Sequence, residues 1–366
     1  MGPTRRYRIT KWFGSTRLAD MKERISAVKS AAAERAGVLL LGNGPTALTA
    51  LRSLVRWCNV LGVLRTIDDP VGDPVRIYAT KYGIAVWPLG NPRDLHDIII
   101  KLRPAVIVIS SFNRILPPDV LALSRFINVH YSPLPRYRGR ANVNWAIING
   151  ERTTAISIHL VTPGLDDGNI LLQEEVIITP IDTVQSLYER LNTIQERELG
   201  PAVIRAVAGD LGLPQDHQNA TYGCGRVPDD GEIDWSKSSA AIDRLIRALS
   251  PPFPGAFTHL ERRRLVISRA EPWRDPPPYE GRIAGRVVGR SRSDGWVDVL
   301  TGDGILRLFE VILDSGASAP AAEIIRSTRA TLGLSRLDLL RCIDDLERRI
   351  AALTESVAAL QETGGE

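Results

Sequence analysis

The chain has 366 residues, 44% of them hydrophobic and 24% charged, which is the composition of an ordinary folded protein and the length of two domains rather than one. Its three cysteines, Cys58, Cys224 and Cys342, lie far apart in no metal-like spacing, and no apolar run is long enough to span a bilayer. Together these argue against zinc, disulfides and a membrane partner, and they lead to the expectation of a cytoplasmic protein with no metal. The net charge is +4, yet residues 1–36 alone carry nine Lys or Arg against three acids. The body of the chain is therefore slightly acidic, a poor match to a large RNA substrate.

Residues 1–36 read as a basic extension, with Leu18 to Glu34 weakly amphipathic. The first core strand is Val38 to Leu41, followed by Gly42-Asn-Gly44-Pro-Thr-Ala47 and a helix to about Trp57. This is a partial dinucleotide fingerprint, but the next strand, Val60 to Leu64, ends in Arg65, where a nicotinamide site needs an acid. A tight strand-to-helix turn accounts for the glycines. A helix around Val75 to Tyr82, a strand Ile84 to Trp87, a helix Arg93 to Leu102 and a buried strand ending at Ser110 follow in order. Such alternation predicts an α/β fold with a doubly wound, mostly parallel sheet.

The densest chemistry lies in Asn128-Val-His130-Tyr-Ser132-Pro-Leu-Pro135-Arg-Tyr-Arg-Gly139, followed later by Gly164-Leu-Asp166-Asp167-Gly168. Phe126 to His130 alternates as a strand, so Asn128 and His130 project on one face. An Asn amide and a protonated His are donors suited to an oxyanion, and a carboxylate at Asp166 would raise the pKa of His130 and manage the proton of an attacking amine. Ser132, between prolines, reads as a turn residue rather than a nucleophile. Each residue singly also has an ordinary structural reading as a strand end or a turn.

Asn-x-His, the Ser-Pro-Leu-Pro turn, Arg-Gly and Asp-x-Gly together resemble the formyltransferase family that uses 10-formyltetrahydrofolate. The resemblance continues through the helix closed by Gly150, the strand Ala155 to Leu160 and the strand Ile170 to Val176. It implies that Asn128, His130 and Asp166 are catalytic, with 10-formyltetrahydrofolate as co-substrate. It also implies that the turn after Ser110, with Phe112, Arg114, Ile115 and Leu116, lines the folate slot, and Asp167 is the competing carboxylate. Two departures stand beside the site: Pro133 replaces the family's second Leu, and Asn142 replaces its usual Pro. His159, one strand on, and Arg138 and Arg140 are candidates for contact with the substrate, the two arginines through phosphates.

Thr183 to Val207 reads as a long helix closing a catalytic domain of residues 37–208, with Leu187, Leu191, Ile194, Leu199 and Val203 on its buried face. Residues 209–231 read as a linker. Ile233-Asp-Trp235 through Pro251-Pro-Phe-Pro-Gly255 resembles the second domain of methionyl-tRNA formyltransferases, which implies that residues 232–333 form a small oligonucleotide-binding-like (OB-like) β-barrel. Finally, residues 334–366 form an amphipathic helix in which Leu346, Ile350, Leu353, Val357 and Leu360 are spaced 4, 3, 4, 3. Such a short heptad seam either pairs with a second subunit, as a homodimer through residues 335–361, or packs back on the barrel, and pairing is the preferred reading.

Three functions follow from the resemblance. The first is N-formylation of a small-molecule amine, above all a nucleotide-linked amino sugar. The second is formylation of an initiator tRNA, and the third a folate-binding scaffold without turnover. Relatives acting on tRNA carry a long basic insertion after the second strand, whereas Leu64 to Val75 here is short and acidic. That difference favours the small acceptor.

Overall fold

The computed structural model describes residues 36–66, 73–334 and 336–363. The basic extension at residues 1–35 and most of the acidic turn, residues 67–72, lie outside the described residues.

The first compact unit comprises residues 36–142, 153–178 and 187–225. Its chain begins with β1 (Gly37–Gly42), α1 (Gly44–Trp57), β2 (Asn59–Arg65), α2 (Pro74–Lys81), β3 (Val86–Pro88), α3 (Leu95–Leu102), β4 (Val106–Ser110), the short α4 (Pro118–Leu121) and β5 (Phe126–His130). Next come β6 (Arg138–Gly139), β7 (Thr153–Leu160), β8 (Ile170–Ile177), α6 (Val184–Val207, all but its first residues) and β9 (Tyr222–Gly223), while α5 (Asn142–Ile148), between β6 and β7, belongs to the second unit beyond its first residue. Seven strands form one sheet in the order β3-β2-β1-β4-β5-β7-β8, with parallel pairing from β3 to β5. β7 runs antiparallel to β5, and β8 antiparallel to β7. The apolar runs Val38–Leu41 of β1 and Val106–Ile109 of β4 are central and buried, as continuous Val/Leu/Ile runs require.

The glycine-rich turn does what a tight strand-to-helix turn needs. A Cβ at Gly42 would lie 2.1 Å from the Ser110 carbonyl oxygen, so β1 and β4 approach too closely there for any side chain. Asn43 joins three strand ends: its amide donates to Thr66 Oγ1 at 2.9 Å, its Oδ1 accepts from Thr66 N at 3.2 Å, and its backbone N–H donates to Ser111 O. Arg65 is buried in an ion pair with Asp73, which also caps α2 by accepting from Val75 N and Arg76 N. The residue that ruled out a ribose-binding acid thus holds the end of β2 to the start of α2.

The second unit is discontinuous: residues 143–152 and 179–186 join residues 226–363. This differs from the expected division into contiguous blocks at 208 and 231, because long-range bonds recruit the two short pieces. Asn144 Nδ2 donates to Ala248 O at 2.7 Å, Arg244 Nε to Ile148 O at 3.0 Å, and Arg247 Nη1 to Asp182 O at 2.7 Å. The three donors' partners include the far end of α7 (Ser239–Ala248), whose first turn is capped by Ser238 accepting from Ala241 N. The predicted linker is not a linker over 209–225. Leu213 exchanges both backbone bonds with Ile170, and β9 pairs parallel with β6, so these residues complete the first unit.

After α7 come β10 (Ala256–Leu260), β11 (Arg263–Pro272), β12 (Val287–Arg290), β13 (Val297–Leu300), β14 (Ile305–Leu313), β15 (Ser318–Pro320), the one-turn α8 (Ala321–Ile324) and α9 (Arg336–Thr363). The strands form an antiparallel sheet in the order β10-β11-β14-β13-β12, with β15 beside β14. Residues 330–333 bridge its two edges: Val287 N donates to Ala330 O and Leu332 N to Gly285 O on one side, and Gly333 N donates to His259 O on the other. The sheet closes in this way into a barrel-like ring around Trp235, Ile246, Leu265, Val299 and Leu308.

Gly42→Ala is expected to lower stability by about 1–3 kcal/mol, because the obstructing atom is a backbone carbonyl inside the central sheet. Urea unfolding against Gly44→Ala, which meets no atom within 4 Å but has φ +67, separates the packing effect from backbone strain.

Candidate functional site

The site starts from the register of β5. Asn128 sits beside Ile109 of β4 and opposite His159 of β7, and His130 lies opposite Ser157. Alternation sends Asn128 and His130 to one face, as expected. The connection between β7 and β8, residues 161–169, brings Asp166 to that face. Asp166 Oδ1 accepts from Asn128 Nδ2 at 3.2 Å, and Oδ2 accepts from the Gly139 N–H at 2.9 Å. His130 Nδ1 lies 3.6 Å from Oδ2, and His159 Nε2 lies 3.6 Å from Oδ1. One carboxylate is thus ringed by an amide, a backbone N–H and two imidazoles.

Local backbone geometry explains the presentation. Asp166 has φ 48°, a left-handed conformation that Asp tolerates better than most residues. Gly168 must lack a side chain, since a Cβ there would lie 1.9 Å from Leu160 O. The loop is pinned by Gln215, whose Nε2 donates to Asp166 O at 2.8 Å and Gly168 O at 2.7 Å. Asp167 turns the other way, accepting from the Thr162 hydroxyl inside the same loop. Of the adjacent carboxylates, Asp166 is the one at the site.

His130 is buried, and its tautomer follows from its partners. Nε2 donates to Tyr137 O at 2.8 Å. With the Asn142 amide oriented to satisfy its neighbours, Asn142 donates to Tyr137 O and Arg140 O, each at 3.0 Å, and its Oδ1 accepts from His130 Nε2 at 2.9 Å. The proton therefore resides on Nε2, leaving the Nδ1 lone pair toward Asp166. Burial lowers the His130 pKa; the field of Asp166 and the bond to Tyr137 oppose that shift without overcoming it. This corrects the expectation of a His130 held protonated by its carboxylate. For Asp166, burial is the largest influence and acts upward, but bonding from the His159 side, the field of His130 and the Gly139 N–H outweigh it. Its pKa falls well below the usual carboxylate range.

The remaining sequence candidates divide. His159 joins the site but is only 1% exposed; its Nδ1 donates to Leu160 O at 2.8 Å and its Nε2 faces Asn128 Nδ2 at 3.2 Å. It backs Asn128 rather than meeting solvent. Arg138 is 4% exposed and bound to Gln215 Oε1 at 2.8 Å and His217 Nδ1 at 3.0 Å, so its charge is committed to the fold and not to a phosphate. Arg140 is exposed, and its Nη2 donates to Asn113 O at 2.7 Å, tying the turn after β6 to the turn after β4. In that second turn Leu116 belongs to the core and Phe112 packs against it, whereas Ile115 is 86% exposed and Arg114 donates to Gly90 O. Ser132 donates to Arg136 O at 2.9 Å, as a turn residue does.

Sequence reasoning missed Gly139, Tyr137 and Gln215. The first two act through backbone groups, which leave no side-chain signature, and Gln215 lay in what read as a linker. Asn142 was visible only as a departure from the family pattern.

Free histidine titrates near pH ~6.5. Because His130 titrates lower when folded, between the two values the unfolded chain binds a proton that the folded chain refuses. Its contribution to stability is complete above pH ~6.5 and declines as pH falls. The excess unfolding free energy of wild type over His130→Gln is therefore expected to shrink as pH is lowered from about 8 to about 5.5. Chemical denaturation across that series is the check, and a difference that grows would contradict the assignment.

Comparison with known proteins gives the chain a family. Residues 88–204 match the model for formyl transferase, and residues 227–329 match that for the formyl transferase C-terminal domain. A methionyl-tRNA formyltransferase from Synechococcus sp. (strain JA-3-3Ab) is 33% identical over 316 residues, covering 81% of this chain and 97% of the relative. Among solved structures, WlaRD, a sugar 3N-formyltransferase, is 18% identical with a TM-score of 0.54, covering 75% of this chain and 96% of that one. HypX from Aquifex aeolicus, solved in complex with tetrahydrofolic acid, is 17% identical with a TM-score of 0.55 over 80% of this chain; this chain spans about half of HypX, 47%. At such identities the two structures support the fold alone, while the full-length relative and the two domain matches carry the kinship: the chain belongs to the formyl transferase family.

Proposed function

We propose that this formyltransferase moves the formyl group of 10-formyltetrahydrofolate to the amino group of a methionyl-tRNA. The observation that carries the acceptor is the end-to-end match, through both domains, to a methionyl-tRNA formyltransferase. This reverses the preference for an amino sugar drawn from the short acidic turn. The folate fits the chain's own features: next to Asn128 lies the turn after β4, where Ser111 has φ 60° and the exposed Asn113, Arg114 and Ile115 offer backbone groups on a rigid strand end.

The reaction exchanges an amine N–H for a formyl N–C bond. The uncharged amine attacks the formyl carbon, the carbonyl oxygen gains charge, and the bond to N10 of the folate breaks as N10 takes a proton. Asn128 supplies the donor for the oxyanion. Its two amide hydrogens rest on Asp166 and His159 at 3.2 Å each, longer than the usual ~2.9 Å, so a fully charged oxygen can compete for one of them. His130 takes the amine proton at Nδ1 and returns it to N10 as the bond from N10 to the formyl carbon breaks. The imidazolium then gains Asp166 at 3.6 Å as counter-ion, and Nε2 stays anchored on Tyr137 O and Asn142. A neutral resting imidazole beside a firmly ionised carboxylate suits a base that must be empty before attack and stabilised after it.

A second reading, a nucleotide-linked amino sugar as acceptor, keeps one specific support. The sequence from Arg65 to Asp73 has three acids, counting Asp68, Asp69 and Asp73, and no basic insertion to meet an acceptor stem.

His130→Ala and Asp166→Asn are each expected to lower kcat/KM about 10²- to 10³-fold, and Asn128→Ala similarly. Near-native transfer by His130→Ala and Asp166→Asn together would remove the proposed site. For the acceptor, 10-formyltetrahydrofolate is supplied with methionyl initiator tRNA and dTDP- or UDP-linked amino sugars in competition. Preferential tRNA turnover supports the first reading, and turnover of a sugar alone replaces it with the second.

A further inference from the structure

We infer that α9 is one half of a parallel, two-stranded coiled coil that joins two copies of this chain. The short seam read from Leu346 onward is longer in the structure, because the helix is continuous from Arg336 and carries Leu339 and Ile343 on the same stripe. One heptad position holds Ile343, Ile350 and Val357, and the other holds Leu339, Leu346 and Leu353, with the sequence carrying the register on to Leu360. The first set is wholly β-branched and the second wholly leucine. That division is the one that two-stranded parallel coiled coils select, since β-branched side chains fit the a layer of a dimer and leucine fits the d layer.

Among the described residues of the single chain this stripe is uncovered. Leu339, Ile343, Leu346, Ile350, Leu353 and Val357 are each 49–65% exposed. A helix packed back on its own barrel would have buried at least one of these positions. Away from the stripe the polar groups are internally satisfied, with Arg348 Nε donating to Asp344 O, and on its flank Arg349 pairs with Asp345 at 3.2 Å; Leu337 and Leu340 are also exposed, near its N-terminal end. At 28 residues the helix is about 42 Å long, well beyond the ~12–15 residues at which an unsupported helix is marginal in water.

The flanking positions fit a second copy of the same chain. In a parallel, in-register pair, Arg349 of one helix faces Thr354 of the other, and Cys342 faces Glu347. No like charges meet. A chain selected for a different partner would carry flanks that repel its own copy, as charge-directed zippers do.

The full chain is expected to show a mass of twice 40.2 kDa by light scattering at about 20 µM. Ile350→Asp with Leu353→Asp should return it to 40.2 kDa while leaving formyl transfer and the thermal midpoint of the body unchanged, because both positions are exposed in the single chain. Orientation is read separately. In a Cys342→Ser background, Leu346→Cys sits at a self-facing layer only when the helices are parallel and in register, and mild oxidation should then give a covalent dimer. A wild-type mass of 40.2 kDa, a dimer that survives the double substitution, or a dimer in which Leu346→Cys does not cross-link would each overturn the proposal.

Discussion

A carboxylate removed from water must be given back its hydrogen bonds, and much of the first unit answers that demand at Asp166. Its side chain is 12% exposed, and burial works against its charge. The Gly139 N–H and the Asn128 amide are direct donors, and two imidazoles stand at 3.6 Å on either oxygen. These four groups arrive from three parts of the chain: Asn128 and His130 from β5, the Gly139 N–H from β6, and His159 from β7. The charge therefore acts as a common anchor, and the positions of Asn128, His130 and His159 relative to one another are fixed through it.

That anchoring constrains the backbone as well as the side chains. Among the described residues six non-glycine positions have positive φ, and four of them, Ser111, Tyr137, Ala141 and Asp166, lie in the turns that surround the site. Such conformations persist only where neighbours over-determine them. Here the neighbours are identifiable: Tyr137 N donates to Thr221 Oγ1, Arg138 N to Thr221 O, and Gln215 holds both carbonyls of the Asp166 loop. The buried Arg138 and Gln215 pair is the keystone under that arrangement, which is why an arginine that looks available for phosphate is unavailable.

Most of the architecture was legible in the sequence, for reasons that can be named. Strands that are buried on both faces are continuous apolar runs, and Val38–Leu41 and Val106–Ile109 were readable as such; the long helix showed its buried stripe through Leu187, Leu191, Leu199 and Val203. Asn128, His130 and Asp166 were legible because strand alternation and Asp-x-Gly spacing act locally. What could not be read depends on groups without a residue signature. The Tyr137 carbonyl that sets the tautomer of His130 and the Gly139 N–H that holds Asp166 are backbone atoms. The balance that lowers the His130 pKa was also hidden, since depth of burial is a property of the whole unit. Residues 209–225 were misread because glycine, proline and asparagine mark a turn-rich path, not a loose one.

The interleaving of the two units bears on how such a chain can be made. Asn144 must wait for the Ala248 carbonyl, 104 residues later, before its amide is satisfied, and Tyr137 and Arg138 wait for Thr221. A polypeptide emerging from its N-terminus can assemble the parallel strands β1 to β5 early, but the surroundings of Asp166 are complete only after residue 215 has left the ribosome. Domain-by-domain maturation, the usual protection for two-domain chains, is thus only partly open to this one. The same weave means that genetic shuffling at the apparent boundary near residue 208 would separate the Asp166 loop from its clamp, Gln215, which favours inheritance of the chain as a whole.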